Sequence, residues 1–134
     1  MPAPLPVVFD HFAGARASLE VSQPGFNVLV KLIRSGKAYV KSSAAYRVSD
    51  RGPECSDVTP IAQALIAANR ERVLWGTDWP HPDSSRVPGR RPIDVAPLLQ
   101  IDDGRLFNQL SVWAPDENVR RTILVENPAR PYGF

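Results

Sequence analysis

A chain of 134 residues that is 43% apolar and 22% charged has enough hydrophobic material for one folded domain with a real core, which excludes the disordered and fibrous classes. Its formal charge of +2 is carried by scattered arginines, the densest group being Arg86, Arg90 and Arg91 in a Pro/Gly loop without interleaved aromatics, so a nucleic-acid partner is not expected. No apolar run approaches the roughly 18 residues of a membrane span, so no membrane partner is expected either. The single cysteine, Cys55, excludes an internal disulfide and reads as a loop thiol in a reducing compartment. The opening Met-Pro-Ala-Pro-Leu-Pro lacks the basic stretch of a secretory leader, which makes the cytoplasm the expected location.

Taken in chain order, Pro6-Val7-Val8-Phe9 reads as a short buried strand that ends in Asp10-His11-Phe12. Phe26, Leu29, Val30, Leu32 and Ile33 then recur at helical spacing, with Gly36 as a stop. Ala38-Tyr39-Val40-Lys41 reads as a second strand, running out through Ser42-Ser43-Ala44-Ala45-Tyr46-Arg47. A second helical pattern carries Val58, Ile61, Ala62, Leu65 and Ile66, and an apolar strand, Val73-Leu74-Trp75, stops at Gly76. A long Pro- and Arg-rich loop from Trp79 to Arg91 leads to two further helices, one with Leu106, Phe107, Leu110 and Trp113, the other capped by Asp116 and ended by Pro128. The order β-α-β-α-β-loop-α-α predicts parallel strands joined by right-handed helical crossovers, an α/β architecture in one domain over residues 1–134.

Parallel strands point their carboxyl ends the same way, so His11, Arg47 and Asp78 are expected on one rim, where α/β folds place chemistry. Asp78 can take a proton from water and return it to a leaving group, or ligate a divalent ion; the competing reading is a carboxylate that only caps its own turn. His11 can polarise a carbonyl, bind a metal, or hydrogen-bond within the core. Arg47 offers a planar fork to a substrate carboxylate, or pairs with Asp50 or Glu54. His81, between Pro80 and Pro82, is a further substrate-binding candidate or a loop-shaping residue.

The string Trp75-Gly-Thr-Asp-Trp-Pro-His-Pro82 resembles the last-strand signature of the amidohydrolase-related proteins called amidohydrolase 2. Val8-Phe9-Asp10-His11-Phe12 resembles that family's strand with an active-site histidine, and Glu126-Asn127-Pro128-Ala129-Arg130-Pro-Tyr-Gly-Phe134 is similar to its usual ending. Within the family, the intervals between His11, Arg47 and Asp78 look most like those of 2-pyrone-4,6-dicarboxylate hydrolases. The resemblance implies the carboxyl-terminal part of an eight-stranded TIM-type (β/α) barrel of roughly 250 residues. It implies a hydrolase of small carboxylate-bearing lactones or esters, with Asp78 as the base on water, His11 as the electrophile and Arg47 as the anion anchor. No cofactor is implied for the dicarboxylate lactonases, whereas other relatives hold a divalent metal such as zinc, for which Asp78 and His11 are the ligand candidates.

The family's paired first-strand histidines have no counterpart among the two histidines here. Three strands instead of eight leave two open edges, so a homo-oligomer or a complementing amino-terminal half-barrel chain is the expected partner beside the small carboxylate substrate. The alternatives to a hydrolase are a catalytically inactive remnant, an anion-binding module, or one subunit of a split enzyme.

Overall fold

The computed structural model describes residues 5–85 and 87–134; residues 1–4 and Arg86 of the basic loop lie outside them. Three strands form one parallel sheet in sequence order: β1 (Val7–Phe9), β2 (Ala38–Ser43) and β3 (Val73–Gly76). Helix α1 (Phe26–Arg34) connects the first two, and the short α2 (Ala45–Val48) and longer α3 (Thr59–Asn69) connect β2 to β3. The chain ends in α4 (Asp103–Trp113), α5 (Glu117–Arg121) and α6 (Asn127–Tyr132).

Side chains alternate across a pleated strand, and the two faces of this sheet differ accordingly. Val40 and Val73 point into the helical layer and are fully buried with Ile33, Ile61, Leu65, Leu110 and Ile123. Each such aliphatic side chain contributes about 1.5–3 kcal/mol when it leaves water. The alternate positions, Tyr39, Lys41 and Ser43 on β2 with Leu74 and Gly76 on β3, share the opposite face. That face is polar towards its carboxyl end. Cys55, expected as a loop thiol, is fully buried within the helix-side core.

Two sequence expectations change. Strand β2 runs two residues past Lys41, because Ser42 and Ser43 pair with Trp75 and Gly76 and the Ser42 hydroxyl donates to the Leu74 carbonyl at 2.7 Å. Pro128 does not end the last helix. Residues 122–126 form one π-helical turn that leads directly into α6, where Pro128 occupies the first turn. The π turn just ahead of Pro128 offsets the hydrogen-bond ladder, which is where a helical run can accommodate a residue without an N–H. The expected cap at Asp116 is present, its carboxylate accepting from Asn118 N at 2.8 Å.

The long loop after β3 is pinned by an isolated antiparallel bridge, Pro82 to Leu98, with Asp83 N and Leu99 N each donating across it at 2.8 Å. Among the described residues, β1 and β3 each pair on one side only. No helix among them is long and apolar enough to cross a membrane.

Candidate functional site

Each of the three strands is followed by left-handed backbone at non-glycine residues. His11 (φ 49°) follows β1, Ala44 (φ 50°) follows β2, and Asp78 (φ 72°) and His81 (φ 59°) follow β3. Non-glycine residues in this left-handed region cost on the order of 1 kcal/mol or more each, and such residues cluster at sites. Ala44 has a local consequence: its left-handed turn ends β2 and starts α2, which aims Tyr46 and Arg47 back over the sheet end.

Asp78 is the centre of the resulting cluster. Its Oδ2 accepts from the Tyr46 hydroxyl and from Arg47 Nε, both at 2.7 Å. Its Oδ1 faces His11 Nε2 at 3.5 Å. The other ring nitrogen of His11, Nδ1, lies 3.0 Å from the Ser43 hydroxyl. When Ser43 donates to Nδ1, the imidazole carries its proton on Nε2, beside the free oxygen of Asp78. One carboxylate oxygen is thus held by two donors and the other is open. Burial pushes the Asp78 carboxyl up, but the hydrogen bonds from Tyr46 and Arg47, together with the His11 and Arg47 charges, outweigh it and hold the pKa below the ordinary carboxylate value. For Tyr46, burial and the bond to Asp78 push the phenol up, so it stays a donor.

The structure brings His11, Arg47 and Asp78 to one place. The Arg47 guanidinium donates to Asp78, to the Ser84 hydroxyl and, at 2.8 Å, to the Pro82 carbonyl. It therefore ties the β3 loop to α2 and braces the acid, and neither Asp50 nor Glu54 is its partner. His81 lies deeper, under the β3 loop. It is 4% exposed, with Nδ1 3.3 Å from the Tyr46 hydroxyl and Nε2 3.1 Å from Asp103 Oδ1. It sits behind Tyr46, away from the open oxygen of Asp78.

A cleft of about 460 Å³ opens on the other side of Asp78, floored by Ser43 and Gly76 and walled by Trp75, Trp79 and Tyr132. His11, Asp10 and Lys41 complete it, with Lys41 Nζ 2.7 Å from Asp10 Oδ1. Tyr46, Ser43 and Lys41 were missed from the sequence. The signal available for Lys41 and Ser43 was polar residues at alternate positions of an otherwise buried strand.

With this geometry in place, comparison with known proteins is decisive for the family. The family model described as amidohydrolase matches residues 2–134. The chain belongs to the amidohydrolase family. It is 39% identical over 132 residues to a 4-sulfomuconolactone hydrolase of Hydrogenophaga intermedia, covering 96% of the chain and 39% of that relative. It is 34% identical over 121 residues to a D-galactarolactone isomerase of Agrobacterium fabrum, covering 90% of the chain and 38% of that protein. Among solved structures, a Pseudomonas putida protein assigned as a 2-pyrone-4,6-dicarboxylic acid hydrolase superposes with a TM-score of 0.72 at 28% identity, over 96% of this chain and 43% of that one. The chain therefore spans about two-fifths of the length of these relatives, and its three strands with flanking helices are part of a TIM-type barrel.

Amidohydrolases are commonly metal-dependent. In this chain His11 Nε2 and Asp78 Oδ1 are the donors facing the cleft together, and among the described residues no group of three or more His, Cys, Asp or Glu side chains could hold an ion. A catalytic zinc takes three protein ligands, so these residues alone do not form a metal site.

Proposed function

We propose that this amidohydrolase supplies the acid–base half of a site that hydrolyses small lactones bearing an acid group, the rest of the barrel coming from residues beyond these 134. The observation that carries the reading is the divided carboxylate of Asp78: Oδ2 is held by Tyr46 and Arg47 while Oδ1 opens on the cleft beside His11. The names of the relatives support the substrate class, since a sulfomuconolactone, a galactarolactone and a pyrone dicarboxylate are all lactones or cyclic esters with an acid group.

In this reading Asp78 Oδ1 removes a proton from water as its oxygen attacks the lactone carbonyl. With Ser43 donating to Nδ1, the Nε2 proton of His11 is shared with the carbonyl oxygen as negative charge develops on it. Collapse breaks the ring C–O bond, and the proton held on Asp78 passes to the departing ring oxygen. Arg47 and Tyr46 keep Asp78 ionised and correctly turned throughout. The depressed pKa makes Asp78 a weaker base than a free carboxylate, so orientation supplies what basicity does not.

One measurement tests this. Fused or co-expressed with the preceding three-fifths of the sulfomuconolactone hydrolase relative, the chain is expected to give a folded barrel that opens an acid-bearing lactone, followed by proton release. The 134 residues alone are expected to give no turnover. A folded, complemented barrel without activity, or full activity from the 134 residues alone, overturns the proposal. The partner is thus a β/α half-barrel that pairs with the open edges of β1 and β3, and half-exposed Val7 on the first of these is the kind of surface such pairing covers.

A further inference from the structure

Arg47 donates to Asp78, Ser84 and Pro82, and the cleft beside Asp78 is lined by a second cation, Lys41. We infer that Lys41, with Asp10 as a displaceable counter-ion, is the anion-binding residue of the cleft, so that it selects substrates carrying a carboxylate or sulfonate.

The placement follows from strand alternation. Lys41 lies two residues before Ser43 on β2, so both project onto the cleft face of the sheet. Gly76 on the neighbouring strand has no side chain to fill the space. A Cβ there would sit 3.7 Å from Lys41 Cδ and 3.8 Å from Ser43 Cβ. The lysine stem can therefore run along the floor with its ammonium at the open side, where the side chain is 30% exposed. An ammonium has three N–H donors, and its ion-pair partner among the described residues is Asp10. That carboxylate is itself 57% exposed, and an exposed pair of this kind is worth little. A ligand anion can take its place at small cost while Asp10 turns to water. Burial pulls the Lys41 pKa down, but the bond to and charge of Asp10 outweigh it and raise the pKa, so the cation persists across the working pH range. Trp79 and Tyr132 flank the position, which suits a flat, unsaturated ring carrying the anion.

This inference rests on the lactone reading of the cleft, and its test reads binding alone. The probe is benzene-1,3-dicarboxylate, a flat dianion that cannot be hydrolysed, titrated by calorimetry at low salt into the chain completed by the preceding half-barrel. Lys41→Gln is expected to weaken binding at least tenfold and Lys41→Arg to retain most of it. Asp10→Asn is expected to tighten binding several-fold, because the competing carboxylate is gone.

An absence of binding by the unaltered chain overturns the inference, as does unchanged affinity in Lys41→Gln. If Lys41→Gln fails to fold, Asp10→Asn decides, and affinity no tighter than the original overturns it. The two proposals fail separately. A complemented barrel that opens no lactone, with dicarboxylate binding still dependent on Lys41, removes the hydrolase and keeps the anion site. Lactone opening with Lys41-independent binding removes the anion site alone.

Discussion

Asn in place of Asp78 is expected to lower turnover by the completed barrel roughly 10²- to 10⁴-fold, the range that positioned acid–base groups contribute, with KM changed little. Asn is nearly the same size, so the fold has no cavity to absorb. Its chemistry at this position is nonetheless wrong in a specific way. Tyr46 and Arg47 both need an acceptor where Oδ2 now sits, and Asn has one acceptor oxygen to give them. Once that oxygen turns to the two donors, the amide NH₂ faces the cleft and His11, where a lone pair is needed to receive the proton of water. Steady-state kinetics with a melting curve checks this. A loss of kcat far larger than the changes in KM and in stability supports Asp78 as the base; losses in binding and stability as large as the loss of rate assign it a folding role.

Asn127→Ala is expected to cost roughly 2–6 kcal/mol of stability. Asn127 is fully buried where α6 begins, and its Nδ2 donates to the carbonyls of Arg70 and Val73, both at 2.7 Å. Alanine leaves two inward-facing backbone carbonyls without a donor, and each unpaired buried group costs about 1–3 kcal/mol. Against a total stability of roughly 5–15 kcal/mol this is a large share. Val73 opens the strand that delivers Asp78, so the same two bonds fix the site from below. Urea unfolding reads the effect as a fall in midpoint at constant slope, against an exposed control such as Asn108→Ala, expected within about 0.5 kcal/mol. A midpoint equal to the control contradicts the assigned role.

The two regions differ in how far they could be read from residues alone. The buried run 73–75 stopping at Gly76, with an acid and an imidazole beyond it, announced a strand end, and the three strand ends do converge on Asp78. What spacing could not convey is which way a side chain turns after the strand. Arg47 lies at the interval expected for a ligand anchor, yet the left-handed step at Ala44 swings it onto Asp78 and the β3 loop. The same step brings in Tyr46, which looked like the polar tail of a strand. His81, framed by prolines, read as a rim residue. The bridge between Pro82 and Leu98 instead folds the loop over and buries it beside Asp103. Lys41 follows from period-two alternation, but a single lysine on a strand reads equally well as a solvated edge residue. The run through Pro128 followed from a π turn that no local propensity marks.

The divided carboxylate at Asp78 is the claim on which the functional account stands, and a carbon-13 titration of that carboxyl measures it directly. Its pKa in the folded chain is expected below the ordinary value of about 3.9, so its contribution to stability is complete above that value and is lost as pH falls through the folded pKa. Tyr46→Phe removes one of the two donors on Oδ2 and is expected to move the titration upward. An Asp78 that titrates at the ordinary value, or that does not respond to the loss of the Tyr46 hydroxyl, contradicts the account.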